Sequence, residues 1–408
     1  MFSVKEAKHI VDEVIQRGKV VSSPIENSLG KVIAKEIQTP FDFPLFASSA
    51  MDGYVIRCED TQAASQDRPV LLKVVSEVFA GDTPTQSINQ GEAIQIMTGG
   101  MIPLGAAAVI PQECVTRHDD NSIHIFNPVK RGDHIRSQGE EVKLGDQVIN
   151  QNEIISPAVT GYLAALGIYE VPIFEIPRIS VIPTGSELVK DPRELKAGKI
   201  FESNSYALGA ALKQMRLEVT IFPPIADRKD HLQSAIQECL KTSDITIISG
   251  GVSVGEKDYV REILSDLKVE TLFWKVAQKP GKPLYFGRRK NRFIFGLPGN
   301  PAASLVCFYE YIRPALLKWL GHSQIWPVTE QAILEESISK KEGRIHFLRA
   351  YAEKKDNHIV VTPFSSQESH RMASFAKANC LALFPKEKVR LEKGDPVEIH
   401  WLPEGGSI

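Results

Sequence analysis

From residue 176 onward, two kinds of apolar run alternate, and this constrains the fold more than any other feature. Ile179-Ser-Val-Ile182, Val219-Thr-Ile-Phe222, Ile245-Thr-Ile-Ile248 and Phe293-Ile-Phe295 are short, β-branched or aromatic, and read as strands. Residues 203–214, 231–240, 258–267 and a long stretch ending at Trp319 carry apolar residues at helical spacing. Strand–helix alternation predicts a doubly wound parallel sheet covered on both faces, with ligands at the C-terminal edge of its strands. The hub is the third strand. It stops at Ser249-Gly250-Gly251, continues through Val252-Ser253-Val254-Gly255, and gives way to a helical pattern after Asp258. Paired glycines let backbone N–H groups converge on an anion, and a following helix adds its positive end.

The flanking sequence has a different texture. Ser3-Val4-Lys5-Glu6 is a capping box before an amphipathic helix, and residues 27–37 read as a second helix. Short β-like runs separated by turn residues fill residues 45–143 (Tyr54-Val-Ile56, residues 70–75, 93–96, 107–110 and 122–126). Residues 156–166 return to a helix. After Trp326-Pro327 the pattern is again β-rich. Four domains are therefore expected. They are a discontinuous, mainly helical domain (1–44 and 144–175), an inserted β-rich domain (45–143), the α/β domain (176–326), and a C-terminal β-barrel-like domain (327–408).

A net charge of −2 over 408 residues argues against nucleic acid as a partner. No apolar run is long enough to cross a membrane, and the amphipathic N-terminus is no signal peptide. Five scattered cysteines form no C-x-x-C pair, so buried reduced thiols in a cytoplasmic protein are expected.

Four polar loops leave the α/β strands: Thr184-Gly185-Ser186-Glu187, the segment holding Asp227, Ser249 to Asp258, and Gly296 to Pro301. In a doubly wound sheet they converge, so Glu187, Asp227 and Asp258 could share a ligand. Glycines with carboxylates suggest phosphate plus a divalent cation. The same residues have plainer readings. Glu187 and Asp258 could be helix N-terminal acids, and Asp227 could cap the helix at His231. Seven basic residues and no acid lie between Lys275 and Arg292. Arg288 to Arg292 reads as a hairpin tip. Lys275, Lys279 and Lys282, set among Pro and Gly, read as anion ligands.

Eight segments in order then carry a family resemblance: S-A-M-D-G-Y from Ser49, I-M-T-G from Ile96, T-G-S-E-L from Thr184, S-N-S from Ser203, S-G-G-V-S-V-G from Ser249, W-K-V-A from Trp274, K-P-G-K-P from Lys279, and G-L-P-G-N-P from Gly296. Together they resemble the MoeA family of molybdopterin molybdenumtransferases, to which the gephyrin E domain is related, along essentially the whole chain. The resemblance implies molybdenum insertion from molybdate into adenylylated molybdopterin with release of AMP, assisted by Mg2+ or, in its place, Zn2+. It also implies a homodimer whose site is shared between subunits, and transient contact with other cofactor-biosynthesis proteins. On this resemblance Glu187, Asp227, Asp258 and Asp52 are catalytic, and the first three hold the metal or the pterin. Thr184, Gly185, Ser249, Gly250, Gly251, Ser253, Lys275, Lys279 and Lys282 bind substrate, and Pro298 and Pro301 shape the pterin pocket. Asp52 and Thr98 reach the other subunit's cleft. Arg349 and Ser374 stand near the family's functional polar positions. Three places depart from the family pattern: Ser186 and Arg228 replace acids, and Arg131-Gly132-Asp133-His134 displaces an acid that Asp133 could supply.

Two rival readings use the same α/β fold differently. One is a molybdopterin adenylyltransferase or CinA-type nucleotide hydrolase, against which the flanking β domains and Ser49–Tyr54 argue. The other is a non-enzymatic, gephyrin-like binding scaffold, which would have no need to retain Asp52, Glu187, Asp227 and Asp258.

Overall fold

The computed structural model describes residues 1–252, 259–341 and 343–403. Asp258 and Ser253 therefore lie outside the described residues. The chain forms two compact units, Met1–Ser23 with Gly30–Ala34 and Pro172–Ile408, and Pro24–Leu29 with Lys35–Val171.

The first unit is built on a six-stranded sheet of β1 (Ile179–Pro183), β2 (Val219–Ile221), β3 (Ile245–Ser249), β4 (Glu270–Trp274), β5 (Tyr285–Arg289) and β6 (Arg292–Leu297), in the order β2-β1-β3-β6-β5-β4. The first four in that order run parallel, and β5 and β4 add an antiparallel edge. The β5–β6 hairpin turns at Lys290, with Arg289 opposite Arg292, as the basic run suggested.

Alternation along the strands explains the two covered faces. Ile179, Val181, Ile245, Ile247, Phe293 and Phe295 point to one core, which they share with helices Val4–Val14 and Asn204–Gln214 and the helical stretch 301–319. Ile182, Ile248 and Ile294 point to the other, with helices Lys229–Thr242 and Val260–Asp266. The predicted capping box is present, since Ser3 Oγ accepts from the Glu6 N–H and Glu6 Oε2 accepts from the Ser3 N–H.

The helical stretch 301–319 widens into one π turn at Phe308–Ile312. Pro314 follows, and it has no N–H to give the carbonyl of Glu310, so a wider turn relieves the clash. Glu310 is fully buried on that turn. It accepts from Lys8 Nζ at 2.6 Å and pairs with His400 Nδ1 at 2.8 Å.

Five strands close into a barrel near the C-terminus: Thr329–Leu334, Ile345–Lys355, His358–Pro363, Cys380–Phe384 and Pro396–Trp401. A two-residue strand from the basic loop, Gln278–Lys279, pairs in parallel with Ile345 and His346 of this barrel.

The second unit carries the predicted β insertion as a six-stranded sheet. Four of the five expected runs lie at Gly53–Ile56, Glu92–Ile96, Ala108–Pro111 and Ser122–Ile125, and the fifth extends over Val70–Val78. The additional strand Val115–Asp119 has no buried residue, so it lacks the alternation that marks a strand. Helix Pro157–Ala165 follows its Ser156 cap.

Two expectations need correction. Residues 27–37 hold no helix beyond the short turn Ile25–Asn27. Gly30 has φ +80°, and β-branched Val32 and Ile33 are buried in extended backbone, with Ile33 bridging Ile173. The cysteines are all unpaired as expected, but only Cys239, Cys307 and Cys380 are buried and Cys114 is exposed. Among the described residues, no helix is long and apolar enough to cross a membrane.

Candidate active site

The chain passes from β1 out to β2 and back to β3 on the other side of β1, so the loops after β1 and β3 part at a switch point, where doubly wound sheets open a crevice. A cleft of about 520 Å³ opens there. Thr184, Gly185, Glu187, Asp227, Ser249, Gly250, Gly251, Pro298 and Pro301 all line it.

Backbone pairing fixes the cleft floor. Thr184 N–H donates to the Ser249 carbonyl (2.8 Å), Gly185 N–H to Ile225 (3.0 Å) and Gly250 N–H to Leu297 (3.0 Å). The Gly250 amide thus bonds the scaffold rather than facing the cleft that this residue lines. Gly250 supplies room instead. Its φ is +103°, and a Cβ there would stand 2.5 Å from the Thr184 carbonyl oxygen. The Gly251 amide has no acceptor among the described residues.

The carboxylates resolve the plainer readings. Asp227 is no helix cap, since the helix at Lys229 starts at Arg228 without a side-chain cap. Asp227 Oδ2 accepts from the Ser186 N–H at 3.0 Å, and Ser186 Oγ accepts from the Asp227 N–H at 2.9 Å. Ser186, one of the departures from the family pattern, thus forms a reciprocal clasp with the next loop. Glu187 precedes no helix. It leads into the short strand Leu188–Val189 and remains exposed on the cleft wall.

Sequence reasoning missed Asn204. Its Nδ2 donates to Ser249 Oγ (2.7 Å) and the Gly299 carbonyl (2.8 Å), joining the end of β3 to the loop after β6. Its Oδ1 is buried without a partner among the described residues. Asn204 is free for this because buried Glu202 holds the helix start, accepting from Ser205 N–H (2.7 Å) and Oγ (2.5 Å). The Ser-Asn-Ser run at a predicted helix start was the available signal.

A barrel loop also reaches the cleft, where His370 lines the wall and Asn300 Nδ2 donates to Ser369 Oγ. Arg349, fully buried, holds that loop by donating to the carbonyls of Ser366 and Glu368. Its Nε donates to Ser374 Oγ at 2.9 Å, so these two residues meet. Its Nη1 has no partner among the described residues. Burial pulls the Arg349 pKa down, partly opposed by Glu368.

Lys275, Lys279 and Lys282 are not among the cleft-lining residues, although Pro283 is. Lys275 Nζ lies 3.9 Å from the centre of the Trp274 ring, and Lys279 pairs with His346 at the barrel edge. Burial, reinforced by Lys279, Lys340 and Arg344, pushes the His346 pKa down to about 4. Asp52 and Thr98 belong to the second unit, where the Thr98 N–H and hydroxyl both donate to Asp52 Oδ1 at 2.7 Å. Those two bonds hold the Asp52 carboxyl below its ordinary pKa. Asp133 Oδ2 accepts from the Lys130 N–H.

Among the described residues no three His, Cys, Asp or Glu side chains could hold a metal ion. Two acids lining one cleft fit Mg2+, which binds through one or two carboxylates plus substrate phosphates and keeps its waters, better than the closed ligand set of a structural zinc.

Three family descriptions match the chain: the MoeA N-terminal region (domain I and II) over residues 2–167, a probable molybdopterin binding domain over 180–318, and the MoeA C-terminal region (domain IV) over 331–402. A protein named molybdopterin molybdenumtransferase from Haemophilus influenzae is 35% identical over 379 residues, covering 92% of each chain. Molybdopterin molybdenumtransferase 2 from Mycobacterium tuberculosis is 33% identical over 406 residues, covering 98% of this chain and 99% of that one. The crystal structure of the molybdopterin biosynthesis moea protein from Pyrococcus horikosii superimposes with a TM-score of 0.85 at 31% identity, covering 98% of this chain and 99% of that chain.

Proposed function

Because the chain belongs to the MoeA family and is a transferase enzyme of molybdenum cofactor biosynthesis, we propose that it inserts molybdenum from molybdate into adenylylated molybdopterin and releases AMP. The observation that carries this reading is the convergence of the glycine turn, two acids and two prolines on one cleft. A polyanionic ligand needs a backbone donor and room beside it, and the Gly251 amide with the space at Gly250 would offer both. Pro298 and Pro301 give the pterin side a wall with little freedom to lose on binding.

Glu187 and Asp227 would hold Mg2+, which offsets charge on the pyrophosphate oxygens when bound. Asn204 Oδ1 accepts from a ligand N–H or hydroxyl. Arg349 would act through the barrel loop it holds, which brings His370 to the cleft wall. Lys275, Lys279 and Lys282 add positive charge around the approach to the site. Asp258 and Ser253 belong to the same proposed set. The matches to the flanking MoeA regions favour this reading over an adenylyltransferase or a CinA-type hydrolase. Five unpaired cysteines suit the reducing cytoplasm. In the dimer of this reading, Asp52 and Thr98 complete the partner's cleft, and the enzyme meets other cofactor-biosynthesis proteins in passing.

The test supplies adenylylated molybdopterin and molybdate and follows AMP release and molybdenum bound to the pterin. AMP should appear only with both substrates, and Glu187→Ala should abolish insertion with the fold intact. Insertion at the wild-type rate by that variant would overturn the site. Light scattering tests the dimer, and a monomer would remove the roles of Asp52 and Thr98.

A further inference from the structure

Trp274 ends β4, close to the turn that leaves β3. Its indole N–H donates to the carbonyl of Val252 at 3.0 Å. Val252 comes directly after Gly250 and Gly251, so this bond holds the backbone where the glycine turn exits. A second contact fixes the same residue. The Val252 side chain is buried over Gly296, where any Cβ would stand 2.6 Å from Val252 Cγ1. The main chain at Val252 is thus held by a hydrogen bond, and its side chain sits in a notch that only glycine leaves open.

The same indole carries two cations. Arg261 Cζ lies 3.3 Å from the ring centre, and Lys275 Nζ lies 3.9 Å from it. Two cationic groups that close to one centroid would collide on a single face, so they occupy opposite faces. Arg261 belongs to the helix Val260–Asp266, and Lys275 directly follows β4 with φ +66°. One side chain therefore touches the turn at Val252, the helix at Arg261 and the start of the basic loop at Lys275. Cation–π attraction of this kind is modest, which makes it a holding place that a stronger anion can compete for.

We propose that Trp274 is the positioning residue of the phosphate-binding turn. Its N–H sets the Val252 backbone, and its sandwiched cations shift when an anion occupies the cleft. The proposal rests on the reading of Gly250–Gly251 as a phosphate site. A donor held in place before the ligand arrives saves the ordering cost at binding, so losing it weakens affinity first.

The test uses the full-length protein and inorganic pyrophosphate, with calorimetry for affinity and tryptophan emission for the indole. Wild type should bind pyrophosphate with a saturable change in emission. Trp274→Phe keeps the ring but loses the N–H. It should bind about tenfold more weakly, the scale of one lost hydrogen bond, and should lose the emission change. Its KM for the pterin substrate should rise by a similar factor with kcat nearly unchanged. Arg261→Gln removes one face of the sandwich from an exposed position and should reduce the emission response, and it decides the matter if Trp274→Phe does not fold. Wild-type affinity and KM in Trp274→Phe, or a wild-type emission response in Arg261→Gln, would overturn the role of Trp274 alone. Failure of wild type to bind pyrophosphate would overturn the phosphate reading beneath it.

Discussion

Individual residues at the cleft act more on each other than on open solvent. The Ser186–Asp227 clasp ties the loop after β1 to the loop after β2 through two hydrogen bonds. Ser186→Ala removes the acceptor for the Asp227 N–H, and the Asp227 carboxylate should lose part of its fixed position. We expect a several-fold fall in kcat/KM with a melting temperature near wild type, measured by AMP release and calorimetry. Gly250→Ala should be far more severe. It forces a side chain into φ +103° and into contact with the Thr184 carbonyl, with about 1–3 kcal/mol of backbone strain before the collision is counted. Equilibrium unfolding should register that loss, and pyrophosphate binding should disappear. Glu187 and Asp227 were legible as cleft acids because strand–helix alternation sends the ends of neighbouring strands to one edge. The spent amide of Gly250 was not legible. Its acceptor, Leu297, is 47 residues away, and nothing local encodes that partner.

Among the elements, the π turn at Phe308–Ile312 has the most specific dependence on one side chain. Burial raises the Glu310 pKa, but the Lys8 ammonium and His400 outweigh it and hold the carboxyl below its ordinary value. Glu310→Ala leaves the mostly buried Lys8 ammonium without its counter-charge and His400 Nδ1 without its partner. It should cost about 3–5 kcal/mol in denaturant unfolding, and Glu310→Gln, whose amide oxygen still accepts from Lys8, should cost less. The strand and helix spans themselves were readable where burial is one-sided or two-sided in a regular way, as in Ile245–Ser249. They were not readable at 27–37, where helical spacing of apolar residues was coincidental and β-branched burial decided the conformation. Nor could Pro314 announce a π turn, because the cost of its missing N–H depends on which carbonyl stands one turn earlier.

For the whole molecule, acid sensitivity above the carboxylate range should come from two histidines that burial holds below the ordinary imidazole pKa, His322 and His346. His346 is neutral in the folded chain with a pKa of about 4, whereas an unfolded histidine titrates near 6.5. Between these values the unfolded chain binds more protons, so stability is complete above about pH 6.5 and falls as the pH drops toward 4. The loss amounts to about 3 kcal/mol across that window. His346→Gln should make this part of the stability–pH curve shallower in urea titrations, while the contribution of His322 and acid loss from carboxylates below pH 4 remain. The neighbouring pair Gln278–Lys279 bears on how such chains can be recombined. It is donated to the barrel from before the long helical stretch, so cutting at the apparent boundary near residue 327 does not separate two self-contained modules. A chimaera that takes its barrel from a relative inherits a foreign partner for the K-P-G-K-P loop. Grafting should therefore succeed only when the barrel and that loop are exchanged together.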